Sequence, residues 1–300
     1  MSVSPLFEQS PEELLARRIA ALGRAASLEI NAQDSKHIEA SRALLPGGKR
    51  IFVSHLPKQR WDDTVAACRT LRRAGFDPVP HIPVRLIADH AELDRLLATL
   101  VDAADVREVL MISGDYPQAS GAYSTVLQAL RSDLLQKHGI ARVAFAGHPE
   151  GHPRVDAAEI RRAELDKARY AHEAGLDATF VTQFCFESAP LLAWAQELRS
   201  AGARSRLVAG IAGPAKLSTL VNFALRCGVG RSIRALGARP GVMSLLMAEQ
   251  TPENIVVELS RSIQAGESAI DGLHVFCFGG YLRTCSWLRG VASGELRRLV

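Results

Sequence analysis

The stretch Val109-Leu110-Met111-Ile112 is an apolar run that stops at the loop Ser113-Gly114-Asp115-Tyr116-Pro117. Four apolar residues, two of them β-branched, bounded by Gly and Pro predict a buried strand that ends in a tight loop. Because parallel strands bind ligands at their carboxyl ends, Asp115 is a candidate site residue. The loop alone is equally consistent with an Asp that only caps the following turn.

Seven other segments have the same character, and helical segments separate them. The predicted strands are 27–31, 50–54, 77–82, 142–146, 178–183, 206–211 and 272–278, in addition to 109–112. The predicted helices are 35–45, 61–74, 89–103, 123–138, 156–174 and 187–201, with two or three more between 215 and 265. Ser10-Pro11-Glu12-Glu13 predicts the start of an N-terminal helix, since it combines an N-cap, a first-turn proline and two acids.

This alternation predicts an α/β protein with a parallel sheet. Eight β/α units without a Pro/Gly/Ser-rich linker predict one domain over residues 1–300. Its expected fold is a (β/α)8 TIM barrel with an extra N-terminal helix and additional helices between strands seven and eight. A doubly wound sheet is the alternative, but no predicted strand is followed by G-x-G-x-x-G, and the chain has no Walker A loop.

The composition is that of an ordinary soluble globular chain, with 47% hydrophobic and 23% charged residues. The net charge of +4 comes without a block of Lys or Arg, so no nucleic-acid partner is expected. No apolar run reaches the roughly 18 residues that a membrane span needs. The five Cys residues include no C-x-x-C pair, which disfavours a disulfide framework or a zinc site, and a cytoplasmic location with reduced thiols is expected.

The barrel interpretation brings all strand ends to one face, where five polar side chains would line one pocket. They are Glu29 in strand one, Asp115 after strand four, His148 and His152 after strand five, and Gln183 at the end of strand six. Two carboxylates from separate strands are suited to acid-base chemistry if their environments separate their pKa values.

Glu29 is flanked by Leu28 and Ile30, so its side chain points to the opposite face of the strand from theirs. A carboxyl group in an apolar wall has a raised pKa, which would make Glu29 a proton donor. The alternative is a Glu near a strand end that pairs with an Arg.

His148-Pro149-Glu150-Gly151-His152-Pro153 places two histidines four residues apart. Because the prolines exclude a helix, a metal-binding pair is not predicted, and a rigid loop whose imidazoles contact a ligand is favoured. The amide of Gln183, which precedes Phe184, could bind the edge of a heterocycle. A Gln that only caps the strand beside core Phe residues fits the sequence equally well.

Together these motifs resemble the methylenetetrahydrofolate reductase family over nearly the whole chain, from about residue 27 to residue 287. The most specific are Ser27-Leu28-Glu29, Pro80-His81-Ile82, Gly114-Asp115-Tyr116-Pro117, the loop 148–153, Ala174-Gly175, Thr182-Gln183-Phe184, Gly210-Ile211 and Gly272-Leu273-His274.

The resemblance implies a barrel that binds FAD at the carboxyl ends of the strands. The flavin would take a hydride from NADH or NADPH, or exchange it with another electron donor or acceptor, and a tetrahydrofolate derivative would be the substrate. The implied reaction interconverts 5,10-methylenetetrahydrofolate and 5-methyltetrahydrofolate. Glu29 would be the catalytic acid that protonates the bridge nitrogen and opens the five-membered ring to an iminium. The charge of Asp115, also catalytic, would favour this cation. The resemblance also leaves room for a homo-oligomer.

The same resemblance assigns binding residues by position. The substrate would contact Asp115, Gln183, Leu217 and Arg283. The residues implied for FAD are Ser54, His55, His81, Ser113, Gly114, Asp115, His148, His152 and Glu164.

The chain departs from the family pattern at several of these positions. A Gly-rich loop after strand two is replaced by His55-Leu56-Pro57-Lys58-Gln59, the Arg before Gly-Asp is Ser113, and the Tyr before Pro-Glu is His148. An aromatic position after strand seven falls on Leu217, and Arg283 would substitute for the Arg after strand eight. Three alternatives stay open: operation toward oxidation of methylfolate, a flavin-free pterin-binding barrel that acts as a methyltransferase or carrier domain, and a barrel enzyme with an unrelated substrate.

Overall fold

Eight parallel strands close into a barrel in the computed structural model, which describes residues 10–114, 116, 118–227 and 249–295. The barrel strands are β1 (Ser27–Asn31), β2 (Arg50–Ser54), β3 (Asp77–Pro83), β4 (Glu108–Ile112), β5 (Arg142–Gly147), β6 (Asp177–Cys185), β7 (Arg206–Ala212) and β10 (Gly272–Phe276). A separate antiparallel pair consists of β8 (Ala215–Lys216) and β9 (Glu249–Gln250). Strand β1 closes the barrel by pairing with β2 on one side and with β10 on the other. The predicted barrel is confirmed.

Helices follow the strands on the outside of the barrel. The N-terminal helix α1 (Pro11–Ala25) is capped by Ser10, whose hydroxyl oxygen accepts a hydrogen bond from the backbone N–H of Glu13. The others are α2 (Ile38–Ser41), α3 (Trp61–Arg73), α4 (His90–Ala104), α5 (Val126–Leu130), α6 (Leu134–Lys137), α7 (Ala157–Glu173), α8 (Ser188–Ser200), α9 (Leu217–Cys227), α10 (Glu253–Gln264) and α11 (Tyr281–Ser293). The additional helices expected between strands seven and eight are α9 and α10; the rest of that prediction, residues 228–248, lies outside the described residues. None of the described helices is long and apolar enough to cross a membrane.

Several predicted boundaries were wrong, and strand β6 continues to Cys185, two residues beyond its predicted end. The helix predicted at 123–138 is divided into α5 and α6, because Asp133 adopts a left-handed conformation with φ of 55°. The helix predicted at 35–45 begins instead with a 3-10 turn over Ala32–His37, which the Asn31 side chain caps through the N–H of Gln33. The last barrel strand ends at Phe276 and does not reach residue 278.

The barrel interior changes from ionic to apolar to polar along the strands. At the amino ends, the buried carboxylate of Glu108 lies 2.7 Å from the guanidinium of Arg50 and 3.6 Å from that of Arg142. The next level is an apolar layer of one or two side chains from each of six strands: Phe52, Val79, Leu110, Ala144, Val181 and Val208, with Ile112 against it. Such filled layers make the centre of a TIM barrel a packed core and leave the carboxyl end for ligands.

A β-bulge interrupts the pairing of β6 with β7. Val181 pairs with Val208, but the next pair joins Phe184 to Gly210, so β6 carries one extra residue. The hydroxyl oxygen of Thr182 accepts the backbone N–H of Gly210 at 2.7 Å and replaces the missing strand hydrogen bond. A Cβ atom at Gly210 would overlap the carbonyl oxygen of Thr182, so this close approach requires glycine.

We expect Gly210→Ala to destabilise the fold by about 1–3 kcal/mol, because the added methyl group must push β6 and β7 apart at the bulge. Gly272→Ala is the matched control on the neighbouring strand, where an added Cβ would lie 3.8 Å from the side chain of Val208. Urea denaturation measures the free energy of unfolding of both variants. Equal effects from the two substitutions would contradict the assigned role of Gly210.

Candidate active site

A carboxylate lies between two imidazoles inside the barrel. Glu29 comes from β1, His81 from β3 and His274 from β10, three strands that the barrel closure makes neighbours or next neighbours. The Nε2 atoms of His81 and His274 each lie 3.4 Å from Oε2 of Glu29. The side chain of His274 is fully buried, whereas that of Glu29 is 19% exposed. Both imidazoles contact the ring of Phe52 edge-on, with centroid distances of 6.2 Å for His81 and 4.7 Å for His274.

The protonation state expected for Glu29 was wrong. Its side chain does point into the barrel, but its neighbours are polar and not an apolar wall. Burial by itself raises the pKa of Glu29, but the charge of His81 and the contacts with His274 together lower it by more, and the resulting pKa is about 2. At neutral pH the group is therefore a carboxylate, which accepts a proton and does not donate one. Burial lowers the pKa of His274 below its usual value, although Glu29 partly opposes this change.

Gln183 lies in the bulge of β6 and immediately precedes Phe184, a member of an aromatic cluster. Gln183 is half-buried and directly follows Thr182, the residue whose hydroxyl holds the bulge together. Rings from β6, β10, the segment after each strand and α9 make up the cluster: Phe184, Phe186, Phe223, Phe276 and Phe278. Phe278 stacks on Phe223 with centroids 4.1 Å apart. The carboxyl end of β6 thus carries an amide residue directly before a group of planar apolar side chains, at the end of the barrel where ligands of this fold bind.

A large cavity lies beside the loop that follows β5. Its volume is about 1010 Å³, and residues of the loop 148–158 and the first turns of α7 line it. His148 and His152 both belong to this lining, and their rings meet edge-on at 6.1 Å. The Nδ1 atom of His148 is buried, lies 3.7 Å from the carboxylate of Glu164 and makes no hydrogen bond of standard geometry to the described residues. The cavity is within the size range of sites for cofactors and other organic ligands.

Glu164 supports this loop from behind. Its side chain is 1% exposed, and its oxygens accept hydrogen bonds from the backbone N–H of His148 at 2.9 Å and from Nε1 of Trp194. The guanidinium of Arg161 forms an ion pair with the same carboxylate. Glu164 therefore contacts the cavity loop through His148.

The FAD contacts predicted at the end of strand two, Ser54 and His55, both bond to groups of the protein. The hydroxyl of Ser54 donates to the carbonyl of Ile30 at 2.9 Å. The ring of His55 stacks on Trp61 at 3.9 Å, and its Nδ1 lies 2.9 Å from the hydroxyl of Thr64. Burial lowers the pKa of His55 to about 4, with a smaller contribution from the charge of His81, so this imidazole is neutral at physiological pH.

The loop after β4 is fastened to the loop after β3. The guanidinium of Arg85 donates to the carbonyl of Tyr116 at 2.7 Å and to that of Ser124 at 3.0 Å, and the N–H of Arg85 donates to the carbonyl of Ser113. Gly114 has φ of 87°, and a Cβ atom there would lie 2.9 Å from the ring of Tyr116. Asp115, to which catalysis and binding were assigned, lies outside the described residues.

Two predicted substrate contacts lie farther along the chain. Leu217 is buried at the start of α9. Arg283, on α11, is half exposed, and its guanidinium lies 3.4 Å from the carboxylate of Glu249. The structure thus brings Glu29 and His81 together, whereas the contacts of Leu217 and Arg283 with a substrate stay predictions.

Sequence reasoning gave no role to two members of the central cluster, Ser27 and His274, although both lie in quoted motifs. The hydroxyl of Ser27 lies 2.8 Å from Nδ1 of His274. The twofold alternation of β1 and β10 could have identified them, since Ser27 shares a strand face with Glu29, and His274 shares one with Phe276. Arg85 was also missed, and no sequence signal marked it. Among the described residues, no group of three or more His, Cys, Asp or Glu side chains is arranged to bind a metal ion.

The sequence model of the methylenetetrahydrofolate reductase family matches residues 58–229, more than half of the chain. The chain belongs to the methylenetetrahydrofolate reductase family. A solved structure similar to this family member is an uncharacterized protein from Clostridium thermocellum that binds two copies of 5-methyl-5,6,7,8-tetrahydrofolic acid. It has 12% sequence identity and a TM-score of 0.57, and the similarity covers 96% of this chain and 100% of that chain. Dihydropteroate synthase from Thermus thermophilus has 12% identity and a TM-score of 0.48, with 89% and 93% covered. At this identity the Clostridium structure shows the shared barrel fold.

We expect this reductase-family member to lose stability in acid through Glu29. Because the pKa of Glu29 in the folded protein is lowered from 4.5 to about 2, its ionised form stabilises the fold above pH 4.5, and that contribution is lost as the pH falls toward 2. A lowering of this size corresponds to about 3 kcal/mol.

Glu29→Gln should lack this contribution, so the free energy of unfolding of the wild type should fall by about 3 kcal/mol more than that of the variant between pH 4.5 and pH 2. Urea titrations across this range measure the difference. Glu39→Gln is the control, since Glu39 is an exposed carboxylate that pairs with Arg42 on the surface. Parallel pH profiles for the wild type and Glu29→Gln would contradict the assignment.

Proposed function

We propose that this protein is a FAD-dependent oxidoreductase that interconverts 5,10-methylenetetrahydrofolate and 5-methyltetrahydrofolate. The observation that carries the proposal is the carboxylate of Glu29 inside the barrel, at the position where the family resemblance requires an acid-base group. Membership of the methylenetetrahydrofolate reductase family supports a folate substrate. The ligand of the Clostridium thermocellum structure, 5-methyl-5,6,7,8-tetrahydrofolic acid, is the product side of the same reaction.

The cavity beside the β5 loop supports the cofactor assignment. A dinucleotide needs a long site, and about 1010 Å³ next to His148 and His152 is adequate for one. His148 lines this cavity, while its Nδ1 lies 3.7 Å from the carboxylate of Glu164. His148 and His152 would hold the cofactor there. When bound, FAD supplies a two-electron carrier for the hydride.

The protonation state of Glu29 favours the direction of methylfolate oxidation. In this direction the methyl group of 5-methyltetrahydrofolate loses a hydride and becomes a methylene iminium. The bridge nitrogen then attacks the iminium carbon, a carbon–nitrogen bond forms, and the nitrogen–hydrogen bond breaks. The carboxylate of Glu29 takes this proton, and an ionised group is ready to do so. In the opposite direction Glu29 must first receive a proton, and the imidazole of His81 is 3.4 Å away to supply it.

Gln183 would orient the pterin during this step. An amide offers both a donor and an acceptor, which matches the alternating donors and acceptors at the edge of a pterin. The neighbouring Phe rings would cover its faces and exclude water. The electron partner would be NADH, NADPH or another acceptor.

The absorbance spectrum of the purified protein tests the cofactor assignment. We expect a flavin spectrum in the protein as isolated or after reconstitution with FAD, and bleaching of the flavin when 5-methyltetrahydrofolate is added without oxygen. Stopped-flow mixing compares this reduction with reduction by NADH. Faster bleaching by 5-methyltetrahydrofolate would support the oxidative direction, whereas rapid reduction by NADH at micromolar concentration would contradict it.

The variant Glu29→Gln tests the acid-base assignment. We expect the rate of the folate half-reaction to fall by about 100-fold to 10,000-fold, since general acid-base catalysis contributes factors of this size, while the flavin content stays the same. Glu39→Gln, at the exposed pair with Arg42, should keep the wild-type rate. A folate half-reaction that persists in Glu29→Gln would remove Glu29 from the proposed role.

A flavin-free pterin-binding barrel is the second candidate function. Three residues that the resemblance assigns to FAD already bond to groups of the protein, which favours this second function. They are Ser54, His55 and Glu164. A colourless protein that cannot be reconstituted with FAD but is thermally stabilised by 5-methyltetrahydrofolate would establish this alternative.

A further inference from the structure

A buried serine–histidine pair lies directly behind Glu29. Ser27 and His274 are partners in the ladder between β1 and β10, and the relative exposure of their residues is 4% and 0%. The hydroxyl oxygen of Ser27 lies 2.8 Å from Nδ1 of His274. The other ring nitrogen of His274, Nε2, faces Oε2 of Glu29 at 3.4 Å. The imidazole therefore connects a neutral hydroxyl to an ionised carboxylate.

The two ends of this connection determine which nitrogen of His274 carries the proton. A neutral imidazole has one N–H donor and one acceptor nitrogen. Because Glu29 is ionised and only accepts, Nε2 must be the donor if it is to stabilise the carboxylate. Nδ1 is then an acceptor, and the hydroxyl of Ser27 is the donor that satisfies it. Nδ1 without such a donor would be a buried, unsatisfied acceptor, which costs free energy in this setting.

We propose that His274 is a positioning residue that Ser27 holds in the Nε2–H tautomer, so that it orients the Glu29 carboxylate for proton exchange with the substrate. This inference rests on the proposed role of Glu29 and extends it. It assigns no direct contact between His274 and the substrate, since His274 is fully buried.

The two distances from the imidazoles to Glu29 are longer than ordinary hydrogen bonds. Neither Nε2 of His81 nor Nε2 of His274 makes a hydrogen bond of standard geometry to a described residue. Catalytic hydrogen bonds are often long in the absence of substrate and shorten when it binds. When Glu29 receives a proton, an N–H bond breaks, either on the bridge nitrogen of the substrate or at Nε2 of His81. One O–H bond forms on the carboxyl group. His274 keeps its own proton throughout.

The charged and titratable groups that act on this cluster come from several strands. Besides Glu29 and its two imidazoles, they are Arg50 from β2, His55 after β2, and Cys277 after β10. The guanidinium of Arg50 lies over the Phe52 ring, 5.6 Å from its centroid, on the ionic side of the apolar layer. Any pH dependence of Glu29 must therefore be compared with the same titration in a variant that changes only the Ser27–His274 pair.

Nitrogen-15 NMR of the imidazole rings tests the proposal on the protein as isolated, without added folate. We expect His274 to be neutral at pH 7 and to have its proton on Nε2. The pair of imidazole nitrogen resonances that disappears in His274→Gln belongs to His274. Should that variant fail to fold, contacts to the Phe52 ring assign it in the wild type.

Ser27→Ala should abolish the preference, so that His274 exchanges between two tautomers or moves its proton to Nδ1. Ser41→Ala is the matched control, since Ser41 is a buried hydroxyl that bonds to Tyr281 and not to this cluster. A proton on Nδ1 of His274 in the wild type, or an unchanged tautomer in Ser27→Ala, would overturn the proposal.

Carbon-13 NMR of the Glu29 carboxyl group supplies a readout that a purely structural role would not change. We expect the pKa of Glu29 to rise by about one unit or more in Ser27→Ala or His274→Gln, because the carboxylate loses an oriented hydrogen-bond donor. A titration that stays at the wild-type pH in both variants would overturn the proposal. These measurements need neither folate nor turnover, so the tautomer assignment and the proposed reaction fail independently.

Discussion

The closure of the barrel through β1 is the constraint on which the site depends. Strand β1 pairs with β2 on one side and with β10 on the other, so the first and last barrel strands become neighbours. This pairing places Ser27 opposite His274 and Glu29 opposite Phe276 in the ladder. Without closure, Glu29 would be an unsatisfied carboxylate at the edge of a sheet. With closure, it is a partly exposed anion that two imidazoles stabilise.

The interior of the barrel separates two ionic groups by an apolar layer. At the amino ends, the buried carboxylate of Glu108 forms ion pairs with Arg50 and Arg142. The cluster around Glu29 is loose, and Glu29 remains partly exposed. The ion pairs of Glu108 stabilise the amino end of the barrel, and the cluster at the carboxyl end leaves the Glu29 carboxylate accessible to a ligand. This division is expected for the two ends of a TIM barrel. The Phe52 ring contacts both clusters and keeps them apart.

Irregular backbone positions the remaining site groups. The bulge in β6 adds one residue to the strand immediately before the aromatic cluster, and the Thr182 hydroxyl compensates for the lost pairing. Arg85 fastens the loop after β4 to the loop after β3, and Glu164 fastens the loop after β5 to Trp194 on α8. In each case a buried or partly buried polar side chain satisfies the backbone of a loop, so the mouth of the barrel is held by hydrogen bonds and not by apolar packing alone.

The sequence by itself determined the fold and the inward face of its strands. Short apolar runs bounded by glycine and proline predicted the barrel strands with starts that differ by at most one residue from those observed, and period-two alternation put Glu29 on the opposite face from Leu28 and Ile30. These are local properties, since neighbours in the chain decide propensity and alternation. Helix interruptions such as Asp133 were missed, because a left-handed residue leaves no hydrophobic pattern.

Only the tertiary structure decided the chemistry of Glu29. An acid flanked by Leu and Ile predicts a raised pKa, but the residues that determine its charge are His81 and His274, which lie far away in the chain. Their distance from Glu29 follows from the order and register of strands around the barrel, which alternation does not encode. Electrostatic interactions act through space at a few ångströms, and sequence neighbours therefore specify where a side chain points but not which charges it meets.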